Sequence, residues 1–302
     1  MSDEPEAHIL LTGGAGQTGA ELRRQAPSHW RIFAPASSEL DIARADQVSA
    51  AIGARPWSLV VNAAAYTAVD RAEDEVEAAW RTNALGPAIL ASAASRAGVP
   101  LIHISTDYVF DGSKPAPYVE EDPIAPLGVY GASKEGGEQA VRSAQPRHVI
   151  LRTAWLVSPH GANFIKTMFR LATERSVLRV VDDQRGSPTA AADLARALIC
   201  VGERLISDPD APTGTYHFVN QGEASWRELA QAAFEVRSTH GTPAPEIQAI
   251  ATADYPTRAR RPANSRLSTA KYQRVFGVTP RPWKEAISDV VEALLADAKK
   301  VA

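Results

Sequence analysis

The chain has 302 residues, 45% hydrophobic and 22% charged, a composition typical of a soluble globular protein and not of a disordered or fibrous one. Its net charge of -3 argues against a nucleic-acid partner, which normally requires a strongly basic face. Cys200 is the single cysteine, so the chain cannot form an intramolecular disulfide. Residues 1–6 are acidic, and no apolar run reaches the roughly 20 residues of a membrane span. We therefore expect a cytoplasmic protein without a membrane partner.

The first half of the chain alternates short apolar runs with helical patterns, which is typical of a parallel sheet with crossover helices. The predicted strands, rich in apolar and β-branched residues, are 8–12, 31–34, 59–62, 101–105 and 149–153. The predicted helices between them are 16–25, 48–52, 76–97 and 134–143. We therefore predict an α/β fold with a Rossmann-type, doubly wound parallel sheet.

The pattern loosens after Arg152, where proline-containing stretches at 157–161, 187–189 and 256–262 indicate a second lobe. Residues 193–205 again have a helical pattern, so the chain is expected to return to the first lobe around residues 185–210. We predict a Rossmann domain over residues 1–155 and a smaller C-terminal lobe, mainly substrate-binding, over residues 156–302.

A glycine-rich turn joins the first predicted strand to the first helix. Gly13, Gly16 and Gly19 have the spacing G-x-x-G-x-x-G, and Gln17 and Thr18 lie inside it. Residues without a Cβ permit a tight turn in which main-chain N–H groups approach a pyrophosphate at a helix N-terminus. A structural loop is the alternative for such a turn alone, but its place after the first strand favours a dinucleotide.

The segment after the second strand bears on which dinucleotide binds. It reads Phe33-Ala34-Pro35-Ala36-Ser37-Ser38 and holds no acid of the kind that accepts the ribose 2′-hydroxyl of NAD. We therefore expect NADPH, with Ser37 as a donor to the 2′-phosphate, and NADH as the alternative. Asp41 and Ile42 could border the adenine, although a helix or turn cap is an equal alternative for Asp41.

Tyr130 and Lys134 are four residues apart, so in a helix they lie on one face within reach of the same ligand. A free tyrosine has a pKa near 10 and exchanges protons poorly at neutral pH unless a nearby cation stabilises the phenolate. Most isolated Tyr-x-x-x-Lys motifs are exposed helix surface. The position of this one after the fourth predicted strand favours a catalytic pair.

Small and polar residues follow two other predicted strands. Thr106 and Asp107 end the fourth, at the edge where open α/β sheets bind ligands, and a hydroxyl there could hold a carbonyl oxygen. A cap or strand-end turn is the alternative. Ala63, Ala64 and Ala65 follow the third strand and would let a cofactor pass close to the backbone, although tight packing explains them equally well.

Four motifs, in this order and spacing, resemble those of the extended short-chain dehydrogenases/reductases: Thr12-Gly13-x-x-Gly16-x-x-Gly19, Asn62-Ala63-Ala64, Ser105-Thr106-Asp107 and Tyr130-x-x-x-Lys134. Longer runs at 61–73, 105–112, 152–155 and 261–267 are similar to the dTDP-4-dehydrorhamnose reductase family, and the likeness covers nearly the whole chain. The resemblance implies hydride transfer from NADPH to the C4 ketone of a nucleotide-sugar substrate, dTDP-4-dehydro-β-L-rhamnose.

The resemblance also implies roles for single residues. Tyr130 would protonate the developing alkoxide, Lys134 would lower the pKa of Tyr130 and contact the nicotinamide ribose, and Thr106 would orient the carbonyl. Asp107 and Trp155 would contact the substrate. Without the resemblance, Trp155 would be interpreted as a core aromatic residue.

A basic cluster, Arg258, Arg260, Arg261 and Arg266, follows in the second lobe. Such a cluster is usually solvated surface, but an arginine fork suits a substrate diphosphate, and we select Arg266 for that contact.

No metal site is expected. Asp182 and Asp183 are adjacent acids without further ligand spacing, which is more typical of a turn. Some relatives bind a divalent cation through a glutamate at a dimer contact, but residues 188–193 lack that glutamate. A homodimer is an expectation from the family alone.

Two other functions remain as alternatives. One is an epimerase or dehydratase acting on a related nucleotide sugar, although the glutamate that dehydratases commonly place after the threonine is replaced here by Asp107-Tyr108. The other is an NADP-binding regulatory subunit resembling that of methionine adenosyltransferase. The presence of tyrosine, lysine and substrate-side residues favours the enzyme.

Overall fold

The short apolar runs of the first half form the strands of one parallel sheet. The computed structural model describes residues 6–301, and side chains up to Asp297. Residues 1–5 of the acidic N-terminal segment lie outside the described residues.

The helices and strands alternate through the first half and become shorter in the second. The strands are β1 (Ala7–Thr12), β2 (Trp30–Phe33), β3 (Leu59–Asn62), β4 (Leu101–Thr106), β5 (His148–Thr153), β6 (Leu156–Val157), β7 (Val177–Val181), β8 (Arg185–Gly186), β9 (Thr189–Ala190), β10 (Gly214–His217), β11 (Ala224–Ser225) and β12 (Glu246–Ile250). The α-helices are α1 (Gln17–Gln25), α2 (Ala45–Gly53), α3 (Val69–Ala72), α4 (Val76–Trp80), α5 (Gly86–Arg96), α6 (Val129–Ala144), α7 (Phe164–Leu171), α8 (Ala191–Ser207), α9 (Trp226–Thr239), α10 (Ala270–Phe276) and α11 (Trp283–Val301).

Within the described chain, the main sheet has the order β10-β5-β4-β3-β1-β2, and every neighbouring pair is parallel. The sequence predicted β1 to β5 with ends that differ from the observed ones by at most one residue. Strands buried on both faces must be apolar throughout, which makes such runs recognisable. The predicted α/β fold with a parallel sheet is confirmed.

The carboxyl ends of β1 and β3 mark the point where the strand order reverses, because β2 lies on one side of β1 and β3 on the other. Ligands of open parallel sheets bind outside such a point. A chain of side-chain hydrogen bonds ties the strands together here: Thr12 Oγ1 donates to Asn62 Oδ1 (2.7 Å), and Asn62 Nδ2 lies 3.0 Å from His103 Nδ1 of β4.

Apolar side chains cover both faces of the sheet. On one face, Leu22 of α1 and Leu198 of α8 are fully buried against the strands. On the other, Leu90 of α5 and Val141 of α6 are equally buried. The sheet is therefore the middle layer of a three-layer core, which holds its carboxyl edge rigid.

The chain leaves the first lobe after β5 and returns to it. Helix α8 packs against α1, and β10 extends the sheet beside β5, with Thr215 opposite Ile150. Between and after these elements, helices α7, α9 and α11 pack with short strands around a second core. The domain boundary at residue 155 stays a prediction. No helix within residues 6–301 is long and apolar enough to cross a membrane.

The alanine-rich run over 76–97, predicted as one helix, is interrupted. Helix α4 ends at Trp80 and α5 begins at Gly86, with a π-helical turn, Arg81–Leu85, between them. Pro87 supplies the physical reason, since it has no N–H to donate to the carbonyl oxygen of Asn83 four residues earlier. That carbonyl lies against Gly137 of α6 instead.

The contact at Gly137 predicts a stability difference between two helical glycines. An added Cβ at Gly137 would overlap the Asn83 carbonyl oxygen, whereas one at Gly53 of α2 meets no atom within 4 Å. We expect Gly137→Ala to lower the free energy of unfolding by about 1–3 kcal/mol. Gly53→Ala, the matched control, should be neutral or stabilising by up to about 1 kcal/mol. Urea denaturation measures both, and equal midpoints for wild type and Gly137→Ala would contradict the assignment.

Candidate active site

The glycine turn lies at the end of β1 and packs on the end of β3. Gly13 has a φ of +73°, and a Cβ there would come within 2.5 Å of the Ala63 main chain. A Cβ at Gly19 would overlap the carbonyl oxygen of Gly13. Gly16 is the N-cap of α1, and its N–H donates to Gly13 O (3.0 Å). The turn brings bare backbone to a helix N-terminus, which fits a dinucleotide pyrophosphate.

The Gln17 side chain points away from this backbone and contacts the second lobe. Its Oε1 accepts hydrogen bonds from Ser158 Oγ (3.1 Å) and Asn163 Nδ2 (3.0 Å). Thr18 is buried in the first turn of α1. We therefore expect Gln17 and Thr18 to serve a cofactor through their main-chain N–H groups. Ala63 and Ala64 lie against Gly13 on the other side of the turn and are partly exposed, as is Ala65.

Ser37 is exposed in the loop after β2, where a donor to a 2′-phosphate was expected. An acid, Glu39, directly follows the segment 33–38 in the chain. Glu39 Oε2 accepts a hydrogen bond from Ala36 N (2.8 Å), so this carboxylate is committed to the turn.

Asp41 caps the next turn, which is the structural alternative given for it. Its Oδ1 accepts from Ala43 N (2.9 Å) and its Oδ2 pairs with Arg81. The Ala43 N–H, with help from Arg81, holds the pKa of the Asp41 carboxyl below its usual range. Ile42 is buried against Gly86. A contact of Asp41 or Ile42 with adenine stays a prediction.

Thr106 and Asp107 lie at the end of β4, both buried. Thr106 Oγ1 donates to Asp107 Oδ1 (2.9 Å) and accepts from Tyr108 N (3.2 Å). Burial raises the pKa of Asp107 to about 6, against the hydrogen bonds from Ser265 and Thr106, which lower it. Asp107 Oδ2 is buried and makes no hydrogen bond of regular geometry to a described residue. One carboxylate oxygen at the edge of the sheet therefore lacks a hydrogen-bond partner among the described residues.

Tyr130 and Lys134 lie on successive turns of α6, which begins at Val129 and not at Lys134 as predicted. Burial raises the pKa of Tyr130 to about 12, whereas a hydrogen bond with the Thr106 hydroxyl opposes the rise. Burial lowers the pKa of Lys134 to about 8. The structure therefore brings Thr106, Tyr130 and Lys134 together.

The expected effect of Lys134 on the Tyr130 pKa is not found in this structure. The groups that act on that pKa are burial, Thr106 and Asp107. Lys134 Nζ instead donates to the carbonyl oxygen of Ile104 (2.7 Å), which holds the ammonium against β4. Stabilisation of the phenolate by Lys134 stays a prediction for the reacting complex.

Asn83, in the π-helical turn, is a residue that sequence reasoning missed. It is fully buried, its Oδ1 accepts from Tyr66 N (2.8 Å), and its Nδ2 donates to Tyr66 O and Ser133 Oγ (both 3.0 Å). The side chain ties the loop after β3 to the helix that carries Tyr130. Gly86-Pro87 inside the alanine-rich run was the available signal for an irregular helix.

Trp155 follows β5 and turns into the second lobe. Its φ of +46° is unusual for a residue with a side chain, and its indole stacks on Trp226 with 3.6 Å between ring centroids and 6° between planes. Its Nε1 donates to Ser265 Oγ (3.1 Å). The ring packs on residues of the second lobe, and its contact with a substrate stays a prediction.

A cavity of about 600 Å³ opens next to these residues. Tyr108 lines it and meets the Tyr130 ring edge-on, with 5.5 Å between centroids. The second-lobe side of the cavity includes Trp226, Tyr255 and Arg261. Arg261 also pairs with Asp70 of α3 (2.7 Å), which fixes the position of its guanidinium group.

Arg266 does not lie with this group. It lines a separate depression of about 380 Å³, pairs with Glu223 and donates to the carbonyl oxygen of Pro115 (2.5 Å). Of the basic cluster, Arg261 is the residue that the structure brings to the cavity beside Tyr108.

Asp182 and Asp183 both make structural hydrogen bonds. Asp182 Oδ1 accepts from Ser225 Oγ (2.5 Å), and Asp183 Oδ1 accepts from Thr252 N (2.9 Å). Among the side chains that the structure describes, no group of three or more His, Cys, Asp and Glu residues could hold a metal ion.

Known proteins resemble this chain over almost its whole length. The family model described as the RmlD substrate binding domain matches residues 7–296. The dTDP-4-dehydrorhamnose reductase of Sinorhizobium fredii is 44% identical over 292 residues, which cover 96% of this chain and 99% of that protein.

Solved structures agree with the sequence relatives. The dTDP-4-dehydrorhamnose reductase of Clostridium acetobutylicum has a TM-score of 0.89 and 34% identity, covering 95% of this chain and 99% of that one. That of Bacillus anthracis, in complex with NADP, has a TM-score of 0.88 and 34% identity, with coverage of 95% and 99%. The glycine turn, the residues around Tyr130 and these matches lead to one conclusion: the chain belongs to the RmlD family, that of the dTDP-4-dehydrorhamnose reductases.

Proposed function

We propose that the protein uses NADPH to reduce the C4 ketone of dTDP-4-dehydro-β-L-rhamnose, which yields dTDP-β-L-rhamnose. One observation carries the proposal: Thr106, Tyr130 and Lys134 lie together at the carboxyl edge of the sheet, which also carries the glycine turn, and Tyr108, whose ring meets that of Tyr130, lines a cavity of about 600 Å³. Membership of the family supports an NADP-dependent oxidoreductase.

The residues at the glycine turn fit a dinucleotide. The bare backbone of Gly13, Gly16 and Gly19 would hold the pyrophosphate at the N-terminus of α1. Lys134 would bind the nicotinamide ribose. When bound, NADPH supplies the hydride.

Tyr130 would supply the proton that the product needs. With a pKa of about 12 its phenol is protonated throughout the neutral range, so it can release the proton only to a strong base such as a developing alkoxide. Thr106, in contact with the phenol, would orient the ketone oxygen. Lys134, with a pKa of about 8, stays mainly protonated at pH 7, and its charge would stabilise the phenolate that remains.

The substrate would span the two lobes. Asp107 Oδ2 is buried and has no hydrogen-bond partner among the described residues, so a sugar hydroxyl that reached it would supply the missing donor. The nucleotide would extend into the cavity past Trp226. Arg261 is better situated than Arg266 to meet its diphosphate, because it lines that cavity.

The proposal is tested by incubating the protein with NADPH and dTDP-4-dehydrorhamnose. We expect loss of reduced cofactor in step with formation of dTDP-rhamnose, identified by chromatography and mass spectrometry. A protein that binds NADPH but consumes none would instead have the regulatory binding role.

Replacement of the phenol tests the proton donor. Tyr130→Phe should lower kcat by about 10²-fold or more, because the alkoxide loses its positioned acid, and should leave the Kd for NADPH within about twofold. Tyr216→Phe is the matched control, since its hydroxyl donates only to Thr213 O (3.1 Å), away from the site. Undiminished turnover by Tyr130→Phe in the steady-state assay would exclude Tyr130 as the acid.

Cofactor choice tests the interpretation of the loop after β2. Because residues 33–38 hold no acid and Ser37 is exposed, kcat/KM with NADPH should at least equal that with NADH. Ser37→Ala should raise the KM for NADPH and leave that for NADH unchanged. A strong preference for NADH would overturn this interpretation. Glu39 would then be the nearby acid to consider as the partner of the ribose 2′-hydroxyl.

A homodimer in the cytoplasm is also proposed. Val76, Trp80 and Leu85 are 44%, 42% and 48% exposed on α4 and the π-helical turn, which supports a covered apolar face. Light scattering after size exclusion should give twice the mass of one chain, and Trp80→Glu should reduce it. A monomeric wild-type protein at micromolar concentration would contradict this expectation.

A further inference from the structure

The main chain and the side chain of Gln17 face two different parts of the molecule. Gln17 is the first residue of α1 and directly follows Gly16. Because the first N–H groups of a helix have no acceptor within the helix, its main chain is available to the expected pyrophosphate. Its side chain leaves in another direction, where Oε1 accepts a hydrogen bond from Asn163 Nδ2 (3.0 Å). One residue thus connects the glycine turn with the start of α7.

The neighbours of the Asn163 side chain fix which atom of each amide faces which partner. A main-chain N–H only donates and a carbonyl oxygen only accepts. Asn163 Oδ1 therefore accepts from Lys166 N (3.2 Å), and Nδ2 donates to Ser158 O (2.7 Å). The second proton of Nδ2 is directed at Gln17, whose facing atom must then be its carbonyl oxygen.

Asn163 determines where α7 begins, because it is the N-cap of this helix. Ile165, in the first turn, is fully buried in the second core and fixes the rotation of the helix. Four residues of α7 line the cavity of about 600 Å³: Phe164, Thr167, Met168 and Leu171. The Gln17 side chain therefore reaches one wall of the cavity through a single residue.

The loop formed by residues 158–163 has further contacts with α1. His160 Nε2 lies 3.4 Å from Glu21 Oε1, one turn after Gln17. The buried Ser158 hydroxyl shares its one proton between Gln17 Oε1 (3.1 Å) and His160 O (2.8 Å). Asn163 Nδ2 has a separate proton for each of its two acceptors, so it is the firmer donor to Gln17.

We propose that Gln17 is a positioning residue for the substrate: its main chain serves the dinucleotide, and its side chain, through Asn163, sets the α7 wall of the cavity relative to the cofactor. The part that concerns substrate rests on the proposed function; the connection between α1 and α7 does not. Since the side chain contacts protein and not cofactor, its loss should weaken binding of the substrate nucleotide and spare NADPH.

The first test measures binding of dTDP, the part of the proposed substrate that does not react. Gln17→Met keeps the length of the side chain and removes its acceptor. We expect the Kd for dTDP, measured by calorimetry with saturating NADP⁺, to rise about 3- to 10-fold. The Kd for NADP⁺ should stay within about twofold, because the main-chain N–H groups are retained. In steady state, KM for dTDP-4-dehydrorhamnose should rise more than kcat falls.

Two further variants separate this bond from its surroundings. Gln25→Ala is the matched control, since it removes the same kind of side chain from the same helix, where the amide donates to Glu21 Oε2 and Ala192 O (both 3.1 Å). It should leave both Kd values unchanged. Asn163→Ser keeps a good N-cap residue for α7 but is too short to reach Gln17. It should weaken dTDP binding as much as Gln17→Met.

A double-mutant cycle shows whether Gln17 and Asn163 act through one bond. Because either change breaks the same contact, the combination of Gln17→Met with Asn163→Ser should weaken dTDP binding no more than one change alone. Additive losses would overturn the proposal, as would an equal loss of affinity for NADP⁺, which would indicate a general disturbance of α1. If Gln17→Met does not fold, Asn163→Ser leaves α1 unaltered and provides the binding test.

The second test needs neither cofactor nor substrate. Hydrogen–deuterium exchange, measured by mass spectrometry on peptides that cover residues 158–171, should be about 3- to 10-fold faster in Gln17→Met, because the start of α7 loses its anchor on α1. Gln25→Ala should exchange at the wild-type rate. Unchanged exchange in Gln17→Met would overturn the connection between α1 and α7, whatever the activity.

The two tests also separate this proposal from the proposed function. A wild-type protein that binds NADP⁺ but no dTDP would overturn the proposed function and, with it, the role of Gln17 toward substrate. Faster exchange in Gln17→Met would even then support the connection between the glycine turn and α7. Faster exchange with an unchanged Kd for dTDP would overturn the positioning role alone.

Discussion

The close packing of α6 against the end of β4 is the constraint on which the candidate site depends. A Cβ at Gly131 would overlap the carbonyl oxygen of Tyr108, so the helix reaches the strand only because this residue is glycine. The short distance lets Lys134 Nζ donate to Ile104 O at 2.7 Å and brings Tyr130 into contact with Thr106. A larger side chain at Gly131 would separate the phenol from the hydroxyl that is proposed to hold the ketone.

A buried ion pair fixes the middle of the same helix. Arg152 of β5 donates twice to Glu138, at 2.9 and 2.7 Å, and both side chains are excluded from water. Burial opposes ionisation of Glu138, but the bond with Arg152 prevails and lowers its pKa. Removal of either partner would leave an uncompensated buried charge, which is far more costly than loss of a surface pair. With Asn83 holding Ser133 one turn away, α6 has little freedom to move relative to β4.

The parts of the fold that could be predicted from the sequence are those that depend on a local pattern of residues. Strands β1 to β5 are apolar because both faces of the sheet are covered, and the glycine turn is recognisable because Gly13 and Gly19 face backbone. Features decided by distant contacts were missed. The π-helical turn depends on Pro87 and on where α6 lies, and the start of α6 at Val129 is obscured by Gly131, a poor helix former.

The residues of the candidate site likewise divide into those that the sequence could predict and those that it could not. Tyr130, Lys134 and Thr106 could be predicted because their chemistry requires them at one sheet edge. The direction in which each arginine of the 258–266 cluster points could not be predicted, because periodicity in an irregular segment does not define a face. In the structure, Arg261 lines the cavity and Arg266 does not.

The most direct measurement uses NADPH that carries deuterium at the transferred position, with dTDP-4-dehydrorhamnose as substrate. Our account predicts deuterium at C4 of the product sugar, and a product without the label at C4, or none at all, would contradict it.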